Sequence, residues 1–206
     1  PATRAEVGLP PEVMVYCCFC NNYKFTPQMF DTWAAILRAV PSSVLWLLAN
    51  HPFIESRILS EMAMRQINAE RLVFGGRLPA AQYLARYRLA DLFLDSSPYG
   101  NGATTRDVLS AELPILTKPG QTMMSRLTAH MVAAVGLSEL VVQDADTYKA
   151  KAIQIGNDRG QLARLKQQLI DGKRDSALFD TQGFAQRFGD AVLRGVTQMQ
   201  THPARG

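Results

Sequence analysis

The stretch DLFLDSSPYGNGATTRDVL, residues 91–109, joins an apolar run to a glycine-containing loop and a helical pattern. The apolar run predicts a short buried strand, and the Ser, Pro and Gly residues that follow predict a tight loop. A helix is then expected from about Asn101 to Ala111. Its first turn presents unpaired N–H groups and a partial positive charge, and Gly100 and Gly102 allow a ligand to come close to the backbone. The stretch therefore predicts a helix start that suits an anion.

The same alternation of apolar run and amphipathic helix continues on both sides of this stretch. Strands are expected at 13–19, 43–50, 71–76, 91–95 and 113–118, with a weaker sixth at 139–142. Helices are expected near 27–40, 55–67, 79–88, 101–111, 144–156, 158–172 and 180–200, with another whose apolar face carries Met124, Leu127, Met131 and Val135. This order predicts an α/β fold, a Rossmann-like doubly wound parallel sheet covered on both faces. Ligands of such sheets bind at the carboxyl ends of the strands, beside the point where strand order reverses.

The chain of 206 residues divides into three parts by its sequence pattern. Residues 1–12 are interpreted as a surface lead-in or linker from a missing N-terminal region, because the chain begins at Pro1 rather than Met. Residues 13–178 are predicted to form the Rossmann-like lobe, and residues 179–206 a C-terminal helix and tail.

Composition narrows the partners and the compartment. The 22 basic and 18 acidic residues give a net charge of +4, and the basic residues are scattered, which suits a phosphate-bearing small ligand better than a nucleic acid. Cys17, Cys18 and Cys20 have no distant cysteine to pair with, so a reducing compartment, the cytoplasm, is expected. No apolar run is long enough to predict a membrane span. Cysteine and histidine spacing predicts no metal site.

Two loops supply candidate binding groups. The hydroxyls of Thr104 and Thr105 can bind phosphate oxygens at the helix start, and Asp107, three residues after Thr104, can accept from a ribose on nearly the same helix face. The alternative is a solvated helix end that Asn101 or Thr104 simply caps. Lys24 follows the first strand at the same edge of the sheet and can neutralise a leaving phosphate, whereas most lysines are merely solvated. P-loop, dinucleotide-binding and nucleophile-elbow motifs are not found.

Four motifs together resemble the C-terminal catalytic half of O-GlcNAc transferases, glycosyltransferase family 41. They are YK at 23–24, LADLFLD at 89–95, NGATT at 101–105 and PGQTMMSR at 119–126. The resemblance covers about residues 13–188. It implies that the lobe is the C-terminal half of a two-lobed GT-B transferase, which moves GlcNAc from UDP-GlcNAc to Ser or Thr hydroxyls with inversion and without a metal or other cofactor.

The resemblance also implies roles for individual residues. Lys24 would hold the diphosphate and stabilise the leaving UDP, and Asn21 occupies the place of a family glutamine near the phosphates. The remaining implied contacts are with uracil (Tyr83, Arg86), with the diphosphate (Thr104, Thr105) and with the ribose (Asp107), and Asn101 and Gly102 are expected to bind the donor as well. The general base, the acceptor cleft and the helical repeats that recruit acceptor proteins would all lie upstream of Pro1. We therefore expect the isolated segment to bind UDP weakly and to show little turnover.

Departures from the family pattern keep alternatives open. Ala80, Ala103 and Gln121 replace residues that some members carry, and the spacing from Thr105 to Asp107 is one residue shorter than in some relatives. Another UDP-sugar could therefore be the donor. A non-catalytic Rossmann-like interaction module is the second alternative, and a GT-B epimerase the third, although no acid or base for an epimerase is found in the loops.

Overall fold

The computed structural model describes residues 3–201, so the ends of the predicted lead-in and tail, residues 1–2 and 202–206, lie outside the described residues. Five parallel strands form one sheet in the order β3-β2-β1-β4-β5. They are β1 (Met14–Cys18), β2 (Ser43–Leu48), β3 (Leu72–Gly75), β4 (Leu92–Leu94) and β5 (Ile115–Leu116). This arrangement confirms the predicted doubly wound parallel sheet.

Helices follow the strands as the sequence pattern predicts. They are α1 (Pro27–Ala39), α2 (Pro52–Ala63), α3 (Ala80–Tyr87), α4 (Ala103–Ser110), α5 (Met123–Ala134), α6 (Ala145–Asn157), α7 (Arg159–Asp175) and α8 (Thr181–Thr201). None of these helices combines the length and the apolar character that crossing a bilayer requires.

Local sequence explains where the elements begin and what they bury. Every residue of β1 and β2 is buried, because helices cover both faces of the sheet and each face needs an apolar surface. α1 begins after Thr26, whose hydroxyl accepts from the Met29 N–H at 3.3 Å, and Pro27 occupies its first turn. A hydroxyl cap followed by proline is a typical helix start. The chain thus leaves β1 through a loop whose end is fixed by α1.

The sheet order creates a switch point between β1 and β4. Tyr16 of β1 lies opposite Leu45 of β2 on one side and opposite Leu92 of β4 on the other. α1 packs against α2 and α6, whereas α4 packs against α3 and α5. Because crossovers between parallel strands are right-handed, these two helix groups lie on opposite faces of the sheet. The loops after β1 and β4 therefore diverge and leave a crevice between them.

The predicted sixth strand is reduced to one bridge. Ser138–Leu140 form a 3-10 turn instead, and only Val141 pairs in parallel with Thr117. The turn uses the Val141 N–H, which donates to the Ser138 carbonyl. Two backbone hydrogen bonds around Thr117 still extend the sheet beyond β5.

The predicted lead-in packs against the lobe. Ala5–Val7 form a 3-10 turn, and Leu9 is buried. The Arg4 guanidinium donates to the Leu89 carbonyl at 3.0 Å and pairs with the buried Asp91 carboxylate at 2.8 Å. Arg4 therefore fixes this segment to the chain at the start of β4.

Candidate functional site

A cavity of about 310 Å³ lies at the switch point between β1 and β4. We call it the switch-point cavity. It opens where the chain leaves β1 and β3 and where α4 begins. Five of the residues that the sequence predicted as ligand contacts line it together: Asn21, Lys24, Tyr83, Asn101 and Thr104.

Lys24 is held at this cavity by the loop between β4 and α4. Its Nζ donates to the Gly100 carbonyl at 2.9 Å and to the Asn101 Oδ1 at 3.1 Å. The ammonium also lies over the Tyr99 ring, 4.8 Å from the centroid. An ammonium has three N–H donors, and the described residues accept two of them, so one remains for an anion in the cavity. The predicted meeting of the β1 and β4 loops is thus observed.

Sequence reasoning missed half of the lining. The other five residues also lie at or just after strand ends at the same edge: Phe19, Cys20, Leu48, Arg77 and Leu78. Arg77 is the important omission, because it adds a second cation, and its Nη2 donates to the Asn21 Oδ1 at 3.4 Å. Its place directly after Gly75, which ends β3, and Gly76 could have revealed it. The ten lining side chains include two cations and no carboxylate, which favours an anionic ligand.

The two threonines of the NGATT motif point to different environments. Thr104 lines the cavity. The Thr105 hydroxyl is buried, donates to the Asn101 carbonyl at 3.0 Å and lies 3.0 Å from the Thr128 hydroxyl of α5. Successive helix residues point about 100° apart, so adjacent threonines cannot both face one ligand equally. A diphosphate contact by the Thr105 hydroxyl stays a prediction, and the contacts it makes here are with the protein.

The start of α4 leaves its first N–H groups without a side-chain cap. The helix begins at Ala103 rather than at Asn101, and Gly102 is the N-cap residue. Among residues 3–201 no side-chain cap bonds to this end of the helix, so the alternative in which Asn101 or Thr104 caps it is not observed. Asp107, in the middle of α4, is half-buried and outside the lining of the switch-point cavity. Its ribose contact stays a prediction.

Arg86 lies behind the cavity wall. It is 3% exposed, and its guanidinium lies 4.3 Å from the Phe19 ring centroid and 4.5 Å from that of Tyr83, both of which line the cavity. Nη1 donates to the Gly76 carbonyl at 2.8 Å, whereas Nε and Nη2 are buried without a partner among the described residues. Buried donors without partners are rare, and they commonly mark functional sites. Burial also raises the pKa of Tyr83.

A larger cavity of about 410 Å³ lies on the opposite face, between α1 and α6. We call it the α1–α6 cavity. Met29, Trp33 and Tyr148 make it mostly apolar, and Asp95 and Lys118 contribute to its lining. It contains none of the predicted contact residues.

Within residues 3–201, no group of three or more His, Cys, Asp or Glu side chains is placed to hold a metal ion. The three cysteines are free and buried. Burial raises the pKa of the Cys17 and Cys18 thiols, which disfavours the reactive thiolate.

A family profile and related sequences match most of this chain. A profile of glycosyl transferase family 41 matches residues 2–188. A UDP-N-acetylglucosamine–peptide N-acetylglucosaminyltransferase from Caenorhabditis elegans is 32% identical over 191 residues, which cover 92% of this chain and 16% of that protein. The probable enzyme of the same name, SEC, from Arabidopsis thaliana is 32% identical over 180 residues, which cover 86% of this chain and 18% of that protein. The chain thus spans only a small part of these relatives.

Solved structures match the fold over most of the chain. A mutant O-GlcNAc transferase from Thermobaculum terrenum superposes with a TM-score of 0.82 and 31% identity, covering 90% of this chain and 38% of that chain. A putative UDP-N-acetylglucosamine 2-epimerase from Listeria monocytogenes superposes with a TM-score of 0.51 and 13% identity, covering 76% of this chain and 40% of that chain. The second likeness concerns the fold alone.

Proposed function

The chain belongs to glycosyl transferase family 41, and from this membership we propose that its switch-point cavity holds the UDP of a nucleotide sugar. We further propose that the complete protein transfers GlcNAc from UDP-GlcNAc to Ser or Thr hydroxyls of proteins. Relatives that carry such names are 32% identical to this chain. The chain would then supply the donor-binding half of the enzyme.

One observation carries the proposal: Lys24 and Thr104 come from separate strand ends and line one cavity. Lys24 is fixed by two oxygens of the β4–α4 loop and keeps one N–H donor for a phosphate. The start of α4 adds uncapped N–H groups beside Thr104. A diphosphate bound here meets an ammonium, a hydroxyl and a helix N-terminus, each of which favours negative charge.

The proposed reaction displaces UDP directly. The acceptor hydroxyl forms a new bond to C1 of the sugar as the bond from C1 to the phosphate oxygen breaks, which inverts the configuration. The electron pair leaves on the β-phosphate, and Lys24 stabilises the charge that develops there. The hydroxyl proton passes to a general base in the rest of the protein. Lys24 and Arg77 supply positive charge at the leaving group, so we assign no metal or cofactor to this step.

Roles for the nucleoside are proposed from the same resemblance. Tyr83 lines the cavity and packs against the Arg86 guanidinium, so these two residues are proposed to recognise uracil. Asn21 is proposed to lie near the phosphates, Thr105 near the diphosphate and Asp107 near the ribose.

The partners follow from this function. The acceptor is a protein, and we propose that it binds mainly to parts of the longer chain outside these 206 residues, because relatives are several times longer. No nucleic-acid or membrane partner is proposed. We propose a cytoplasmic location from the three free cysteines, which suit a reducing compartment.

The test uses the full-length protein and four ligands. UDP and UDP-GlcNAc are expected to raise the melting temperature, with a stabilisation of about 2.7 kcal/mol when free ligand is a hundredfold above Kd, and GDP is expected to do so less. Mass spectrometry of acceptor proteins incubated with UDP-GlcNAc is expected to show N-acetylhexosamine on Ser or Thr. A melting temperature insensitive to UDP would favour the non-catalytic module. Preference for UDP-glucose would identify a different donor.

A further inference from the structure

The ammonium of Lys24 depends on the side chain of Asn101. A lysine ammonium is a point charge at the end of a flexible four-carbon stem, so it needs acceptors that fix its place. Apart from the Gly100 carbonyl, the acceptor that fixes it is the Asn101 Oδ1 at 3.1 Å. Only the oxygen end of the Asn101 amide can serve, because the other end is an NH₂ donor.

The orientation of that amide is set from its other end. The Asn101 Nδ2 donates to the Asp95 Oδ1 at 2.6 Å and contacts the Cys20 Sγ at 3.0 Å. Asn101 is 2% exposed, so water is not at hand to replace these partners. A rotation of the amide by 180° would place NH₂ against the Lys24 ammonium and oxygen against the Asp95 carboxylate. The Asp95 carboxylate therefore orients the Asn101 amide so that its oxygen, and not its NH₂ group, faces the Lys24 ammonium.

Asp95 itself is held rigidly at the end of β4. Its Oδ2 accepts from the Thr117 hydroxyl at 2.7 Å, and its main-chain carbonyl accepts from the Tyr148 hydroxyl at 3.1 Å. The donors near its carboxyl group are all neutral: the side chains of Asn101, Thr117 and Thr128 and the Ser96 N–H. Burial raises the pKa of Asp95, so an ionised carboxylate here costs folding free energy. A buried carboxyl group whose ionisation is unfavourable and that lies beside a cavity is a candidate for a functional role.

We propose that Asp95 is a positioning residue for donor binding: by accepting from the Asn101 amide it turns the Asn101 oxygen toward Lys24 and so fixes the ammonium that meets the diphosphate. The proposal rests on the proposed function, because it assumes that Lys24 contacts a UDP diphosphate. Asp95 acts through Asn101 and is not expected to touch the ligand.

The test is a double-mutant cycle on the full-length protein, with UDP and uridine as probes. Asp95→Ala is expected to raise the Kd of UDP about tenfold, within the range seen for coupled neighbours. Uridine lacks the diphosphate, so its Kd, measured by ligand-observed NMR, is expected to change less than about twofold in the same variant. In Lys24→Ala protein the substitution at Asp95 should add no further loss of UDP affinity.

Two matched variants separate positioning from damage to the fold. Thr117→Val removes the hydrogen bond from Thr117 to the Asp95 Oδ2, which does not involve Asn101, and is expected to leave the ratio of UDP to uridine affinity unchanged. Asp95→Asn can still accept from Asn101 while its NH₂ donates to the Thr117 hydroxyl, so it is expected to restore most of the UDP affinity. This rescue also covers the case in which Asp95→Ala does not fold.

The outcomes are distinguishable. Equal losses for UDP and uridine in Asp95→Ala, or a full additional loss in the Lys24→Ala background, would overturn the role of Asp95 while leaving the proposed function intact. Failure of Asp95→Asn to rescue would also overturn it. A wild-type protein that does not bind UDP would instead contradict the proposed function, and the role of Asp95 would fall with it.

Discussion

Replacing Lys24 by alanine should weaken UDP binding strongly in a protein that still folds. Two of its N–H donors bond to oxygens of the β4–α4 loop, and the third is free for a phosphate. A charge-assisted hydrogen bond contributes about 1.5–3 kcal/mol. The loss therefore corresponds to an increase of about 10- to 150-fold in the Kd of UDP. The free protein loses two partly buried bonds of about 0.5–1.5 kcal/mol each, so its unfolding free energy should fall by about 1–3 kcal/mol.

The assay is titration calorimetry of UDP, with urea unfolding of each variant in parallel. Lys118→Ala is the matched control, because Lys118 follows β5 at the same edge of the sheet but lines the α1–α6 cavity instead. This substitution removes the same charge from the same edge of the sheet and should leave the Kd of UDP nearly unchanged. If both substitutions weaken UDP binding equally, Lys24 acts only through the overall positive charge at this edge of the sheet. That result would refute the reasoning from its contacts.

Two further predictions follow from contacts that the structure shows. Thr104→Val should weaken UDP binding with little effect on stability, whereas Thr105→Val should lower the unfolding free energy by about 0.5–1.5 kcal/mol, because it removes the buried hydrogen bond from the Thr105 hydroxyl to the Asn101 carbonyl. Calorimetry and urea unfolding check the pair, and the reverse pattern would contradict it. Burial raises the pKa of Asp91, but Lys166, the Val15 N–H and Arg4 outweigh it and hold that pKa below its ordinary value. The carboxylate therefore stabilises the fold above about pH 4 and loses this effect as pH falls through its folded-state pKa. In urea titrations the unfolding free energy of wild type should exceed that of Asp91→Ala by roughly 3 kcal/mol, and this difference should shrink on acidification. A difference that stays constant down to pH 2 would show that the ion pairs do not cause it.

The doubly wound sheet and its binding edge could be predicted from the sequence, because they depend on patterns that are local. Alternating apolar runs and amphipathic helices fix a parallel sheet, and the switch-point rule then brings the loops after β1 and β4 together. Lys24 and Thr104 needed only that rule to be placed at one cavity. The NGATT motif, together with the other three motifs, added the likeness to a family, and the profile match confirms that likeness.

The rest depends on three-dimensional packing that local patterns do not contain. For α5 the expected buried face was Met124, Leu127, Met131 and Val135; Val135, just after the helix, is buried and the other three are half-buried. The fully buried side chains within the helix are instead Ser125, Thr128, Ala129 and Val132. The buried stripe is shifted because the β4–α4 loop needs hydroxyl partners, and the Thr128 hydroxyl accepts from the Asn101 N–H and donates to its carbonyl. Apolar periodicity cannot reveal such a need.

The same limit explains the errors at single residues. Which of two adjacent threonines faces the cavity depends on where α4 begins, and helix ends are the least predictable part of an element. The importance of Asp95 depends on a hydrogen bond to Asn101 whose donor and acceptor come together only when the loop folds. The Arg77 contribution required the end of β3 to be placed beside Asn21.

A crystal structure of the full-length protein with UDP tests the central claim most directly. The account predicts diphosphate oxygens within hydrogen-bond distance of the Lys24 Nζ and the Thr104 hydroxyl, with the uracil against Tyr83. UDP bound in the α1–α6 cavity, or bound with its phosphates away from Lys24, would contradict it.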